Sequence, residues 1–342
     1  MSQRRAALTV VVATFALLLL TAAAAPAAIT QPPQPTSGPG SSDYAHDGVR
    51  VSSGGTGADA WYAFEPARPR PARAPLAIMM HGYYEFAGYS QLYELIDHTV
   101  RRGSIVIYPR WQTGVAVPCP GPIDIEPCMS SAVNGIDGAL RYLQADRNRV
   151  QPQLGKASYF GFSFGGIITA NLANRWRSLD LPKPRAVFLD DPHDGGLVGF
   201  DEPALDDSMA GIPKSVKLEC HSSADGVTSE PGKANSSCNA LFPMLGRIPN
   251  RNKDLVMIRP DDHGEPPLTA PHGVCASPRG TADAYDWNFC WKVWDGLRDF
   301  AYYGIHRRYA LGDTHRHRWN GKWSDGTPVK PLKVQNAAPI SP

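Results

Sequence analysis

Tyr159-Phe160-Gly161-Phe162-Ser163-Phe164-Gly165-Gly166 is the stretch that decides the reading of this chain. A short apolar, strand-like run from Ala157 to Phe160 enters it, and a helix-like run from Gly165 to about Trp176 leaves it. Between them lies G-x-S-x-G, the pattern of a serine held on a sharp strand-to-helix turn. Gly161 and Gly165 carry no Cβ, so strand, turn and helix can approach without clashing. A helix starting at the serine directs its N-terminal dipole to where negative charge develops when a hydroxyl attacks a carbonyl. Ser163 is therefore the candidate nucleophile.

Outward from this turn, short buried-type strands alternate with amphipathic stretches. Strands are expected at Ala60 to Phe64, Leu76 to Met80, Ile105 to Tyr108, Ala186 to Leu189, Val216 to Cys220 and Leu255 to Ile258. Helices are expected at Tyr89 to Arg102, Ser130 to Asp146 and, rich in aromatics, Trp287 to Tyr303. That rhythm predicts an α/β domain with a mostly parallel central sheet and helices on both faces. His193 to Ile212 is polar and holds either a small lid or a long crossover.

With the turn, the strands and the helices in place, the chain resembles the α/β-hydrolase family over nearly all of its expected domain. The closer similarity is to secreted bacterial esterases and lipases of cutinase-like or dienelactone-hydrolase-like type. The resemblance implies a Ser-His-Asp triad in the order serine, acid, histidine. It assigns the acid to Asp225, in the loop after the Val216 strand, with Asp191 in Asp190-Asp191-Pro192 as the rival. It assigns the base to His263 in Asp261-Asp262-His263-Gly264, with His272 in Pro271-His272-Gly273 as the rival. It also implies an oxyanion hole from the backbone N–H groups of Tyr83, after His81-Gly82, and Phe164. Such a site cleaves carboxylic esters through an acyl-enzyme without metal or organic cofactor. An exported acyltransferase or a serine peptidase would use the same groups. Tyr84, Phe86 and Trp111 lie on or beside loops expected to rim the site, which suits an apolar acyl or aryl group.

The chain ends and cysteines bear on location. Arg4 and Arg5, the apolar run Ala6 to Leu20, and small residues through Ala28 have the order of a secretory signal peptide. Residues 29–45, rich in Pro, Gly and Ser, are expected to form a disordered leader. A catalytic domain is expected over 46–311 and an irregular tail over 312–342. No later apolar run is long enough to span a bilayer, so a secreted or cell-wall-associated protein is expected. Six cysteines in an exported chain imply disulfides. Proximity in sequence suggests Cys119 with Cys128, Cys220 with Cys238, and Cys275 with Cys290, although six cysteines admit fifteen pairings. The formal net charge is only +2 and no basic stripe is interleaved with aromatics, which argues against a nucleic-acid partner. The sequence carries no reading of oligomeric state.

Overall fold

The computed structural model describes residues 28–85, 87–114, 125–193, 205–226 and 238–342. The expected signal peptide up to residue 27, Phe86, Cys119 and most of the possible lid lie outside the described residues.

A nine-stranded sheet organises the chain. In sequence order its strands are β1 (Val49–Gly54), β2 (Trp61–Pro66), β3 (Arg73–Met80), β4 (Ile105–Pro109), β5 (Gln151–Phe162), β6 (Pro184–Asp190), β7 (Lys217–Ser223), β8 (Lys253–Ile258) and β9 (Lys333–Gln335). Their spatial order is β1-β2-β4-β3-β5-β6-β7-β8-β9. The strands β4-β3-β5-β6-β7-β8 run parallel, whereas β1, β2 and β9 meet their neighbours antiparallel.

The unbroken apolar run in β3 has the composition of a strand covered on both faces. Its side chains alternate as a period of two demands. Leu76, Ile78 and Met80 join one core, and Ala77 and Met79 join the other. The first core receives Ile136 of α2 (Ile125–Ala145) and Ile167 of α3 (Phe164–Arg175). The second receives Leu95 of α1 (Tyr93–Arg101) and Trp294 of α5 (Trp291–Tyr303). The mixed α/β class and the mostly parallel sheet with helices on both faces follow from this packing. Two short elements complete the α-helices among the described residues, α4 (Cys238–Met244) and α6 (His315–Arg318).

Both chain ends depart from expectation. The leader is packed rather than loose: Gly40 N–H donates to Asp295 Oδ2 at 3.0 Å, and Trp287 Nε1–H donates to the Pro32 carbonyl at 3.1 Å. Its prolines lower the entropy of the unfolded chain, and the body supplies partners for its backbone. The tail contributes buried Trp323, Val329, Leu332 and Ile340 and closes the sheet with β9. His317 Nε2 meets Glu219 Oε2 at 3.0 Å, with both side chains fully buried, so the tail is part of the core.

Disulfides join Cys220 to Cys238 and Cys275 to Cys290, as the sequence suggests. Among the described residues, no helix is long and apolar enough to cross a membrane.

Candidate active site

Ser163 sits between the last residue of β5 and the first of α3, with φ 56° and ψ −124°. This is a sparsely populated backbone conformation for a residue with a Cβ, and holding it costs about 1–3 kcal/mol. The surroundings impose it. Ser163 N–H donates to the Asp190 carbonyl at 2.9 Å, and the Ser163 carbonyl accepts from His193 N–H at 3.1 Å. The flanking glycines are required by contact. A Cβ on Gly161 would lie 2.2 Å from Thr169 Oγ1, and one on Gly165 would lie 2.2 Å from the His81 carbonyl. The second contact presses the end of β3 onto the start of α3. It thereby sets the His81-Gly82-Tyr83 loop beside the serine turn.

The Ser163 side chain does not cap its helix. Its Oγ lies 2.9 Å from His272 Nε2. For the hydroxyl to donate, Nε2 must carry the lone pair and Nδ1 the proton. Nδ1 faces Asp191 Oδ2 at 3.7 Å, an ion-pair contact longer than a hydrogen bond. Apo sites commonly have such loose geometry, which tightens as charge develops. The Asp191 carboxylate is fully buried and accepts from Ser223 N–H at 2.8 Å and Gly273 N–H at 3.3 Å.

His272 holds its proton less tightly than an ordinary histidine. Burial is the main cause, Asp191 opposes it, and His193 and His221 add to it. Its imidazole is accordingly neutral, and able to accept a proton, at neutral pH.

The constellation thus differs from the expected one. His263 is not delivered to Ser163. After β8 the chain makes a small excursion closed by paired hydrogen bonds between Asp261 and Leu268, and His263 rides on its outer part. There it is 36% exposed and bonds Asp325 Oδ2 at 2.8 Å. The chain returns nine residues later, and that return brings His272 in. Asp225 is exposed and serves through its backbone, donating N–H to the Ala270 carbonyl at 3.0 Å and so bracing the His272 loop. The carboxylate that faces His272 is that of Asp191, directly after β6.

The two segments expected to supply the oxyanion donors lie side by side. The Tyr83 and Phe164 rings lie 5.7 Å apart, and Gly82 N–H donates to Gln91 Oε1 at 2.8 Å, pinning the loop one residue before Tyr83. His81 is wholly buried between the Gly82 and Arg110 carbonyls, and burial pushes its pKa down to about 4. It is a neutral structural histidine. Tyr84 is 68% exposed beside Tyr83 and is free to meet a ligand. Trp111 is completely buried, stacked 5.0 Å from Phe164 and 4.7 Å from His81. It supports the floor and does not line an open wall, because its ring is consumed by those two stacks.

Two residues gain importance from the structure. The Phe162 ring lies 5.0 Å from that of His272. A Cβ on Gly82 or Gly273 would press within 2.7 Å or 2.3 Å of it, so the ring is a spacer between the His81-Gly82-Tyr83 loop and the His272 loop. His193 stands 5.9 Å from His272, ring to ring. Its place could have been suspected only from its proximity to the Asp191 signal. A separate cavity of about 150 Å³ opens beside Tyr89, Tyr93 and Arg279 and includes none of the serine-site residues.

The chain matches no protein-family model and no curated protein.

Proposed function

We propose that this protein is a serine hydrolase of carboxylic esters with the α/β-hydrolase architecture. In this reading Ser163 is the nucleophile, His272 the general base and Asp191 the orienting carboxylate. The observation that carries it is the 2.9 Å contact between Ser163 Oγ and His272 Nε2 on a strained strand-to-helix turn, backed by buried Asp191.

His272 takes the hydroxyl proton as Ser163 attacks the ester carbonyl, and Asp191 stabilises the resulting imidazolium. The N–H groups of Tyr83 and Phe164 hold the tetrahedral oxyanion, where loss of one donor typically costs about 3 kcal/mol of barrier. His272 then protonates the leaving alcohol. Water, deprotonated by the same ring, attacks the acyl-enzyme and releases the acid and Ser163. The Ser163 proton leaves with the alcohol by way of His272, and the one water consumed supplies the hydroxyl of the acid and returns a proton to Ser163, so the reaction balances. Exposed Tyr84 at the loop supports an apolar acyl or aryl group on the substrate. The two disulfides support an oxidising, extracellular setting.

The test is covalent labelling with a fluorophosphonate, together with hydrolysis of a p-nitrophenyl ester series. Wild-type protein should label and turn over, and Ser163→Ala should do neither. Unlabelled wild-type protein, or equal labelling of Ser163→Ala, would overturn the assignment.

A further inference from the structure

A second carboxylate–imidazole pair lies directly beside the serine site. Asp190, the last residue of β6, faces His221 of β7 in register. Asp190 Oδ1 lies 2.6 Å from His221 Nδ1, and both side chains are fully buried. The His221 ring packs 4.5 Å from Phe289, and its Nε2 has no hydrogen-bond partner among the described residues. Burying such a pair adds little net stability, since apolar replacements of similar volume are often neutral or better. Its attachments point to another role.

Three segments of the serine site hang on these two residues. The Asp190 carbonyl accepts from Ser163 N–H, and the His221 carbonyl accepts from Asp191 N–H at 2.9 Å. The Cys275 N–H, three residues beyond His272, faces the Asp190 carboxylate. Nucleophile turn, acid and base loop therefore share one buried anchor.

We propose that Asp190 and His221 are positioning residues of the Ser163 site, their mutual bond fixing the ends of β6 and β7 so that Asp191 meets the His272 ring. The proposal rests on the hydrolase reading of Ser163. It carries an electrostatic consequence. His221 faces Asp190 at the end of β6, Asp191 just beyond it, Glu219 from its own strand, and His272 from the loop after β8, while the helical side presents Phe289. Burial opposes charge on His221, but Asp190 above all, with Asp191 and Glu219, outweighs it and holds the proton more firmly than usual. Positive charge on His221 weakens the hold of His272 on its own proton.

Two variants separate position from charge. His221→Asn keeps an N–H near the Nδ1 position toward Asp190 but removes the cation, whereas His221→Leu removes both. With a p-nitrophenyl ester, the Asn variant should keep kcat within about threefold of wild type, and its acid limb of kcat/KM should move to higher pH. The Leu variant should lose kcat by about 30- to 100-fold with KM little changed, as misplaced catalytic groups do. An unmoved acid limb in the Asn variant overturns the proposal, even if the Leu variant does not fold. So does a folded Leu variant with wild-type kcat, or one altered in KM alone. Labelling the wild type with fluorophosphonate keeps the two readings apart. A labelled wild type with unaffected variants sinks this inference alone, and an unlabelled wild type sinks the hydrolase reading and this inference with it.

Discussion

Replacing Asp191 with Asn tests the catalytic geometry most severely, because it removes a charge and almost no volume. Ser223 N–H approaches Oδ1 at 2.8 Å and Gly273 N–H approaches Oδ2 at 3.3 Å. The shorter contact should keep the amide oxygen, which leaves the NH₂ at the Oδ2 position. There it meets Gly273 N–H donor to donor, an unsatisfied burial worth about 1–3 kcal/mol. It also meets His272 Nδ1, 3.7 Å from the present oxygen. The ring would answer by accepting at Nδ1 and moving its proton to Nε2, 2.9 Å from Ser163 Oγ. Two donors then confront each other where a base is needed. A wrong-tautomer change of this kind lowers kcat by about 10⁴ in the serine-protease precedent, or about 5 kcal/mol of barrier. The assay is p-nitrophenyl ester hydrolysis from pH 5 to 9, with Asp225→Asn as the partner variant. Asp225 is exposed and acts through its backbone, so its Asn variant should stay within about twofold of wild type, as surface changes usually do. An Asp191→Asn enzyme within fivefold of wild type, or a larger loss in Asp225→Asn, would refute the assignment of the acid.

Three further outcomes are expected. His272→Ala should abolish fluorophosphonate labelling, whereas His263→Ala, which breaks a solvent-screened pair with Asp325 and a ring contact with Trp323, should label normally and unfold in denaturant close to wild type. The acid limb of kcat/KM should fall below the ordinary histidine value of about 6.5, because burial, with His193 and His221, favours neutral His272; His193→Gln should move that limb upward, and a downward shift would contradict the reading. Joint replacement of Cys275 and Cys290 by Ala opens a loop of sequence separation 15 three residues after the base; it should lower stability by about 3 kcal/mol, read as the midpoint of urea unfolding, and lower kcat more than it raises KM.

Much of the scaffold was legible because its strands are buried on both faces. Runs such as Leu76 to Met80 and Leu255 to Ile258 have no polar side to disguise them, and each falls inside an observed strand. The edges were not legible. β1 reads VRVSSG, with Val51 45% exposed, and β9 is three residues of mixed polarity; both owe their conformation to one neighbour each. The tail misled for a related reason. His317, Trp323 and Asn320 look like irregular sequence until Glu219, Asp261 and the Lys330 carbonyl appear opposite them. Tertiary partners of that kind leave no local period.

The serine was legible from local rules, since a tight turn requires its glycines at fixed offsets. Its partners were not, because they are selected by where loops return. The resemblance points to His263, yet the Asp261–Leu268 closure spends that stretch of chain on an outward excursion, and it is His272 that comes within reach of Ser163. The acid shows how small the deciding difference can be. Asp190 and Asp191 are adjacent at the end of β6, so alternation sends them to different partners. Asp190 stays in the ladder and meets His221, while Asp191, at φ 45°, leaves it and turns its carboxylate toward His272. The bend that separates them is secured by Asp191 N–H on the His221 carbonyl. The duplicated aspartate in Leu189-Asp190-Asp191-Pro192 thus supplies one residue to hold the strand end and one to face the base. Neither can do both, since a carboxylate committed to His221 in the ladder cannot also reach the ring beside Ser163.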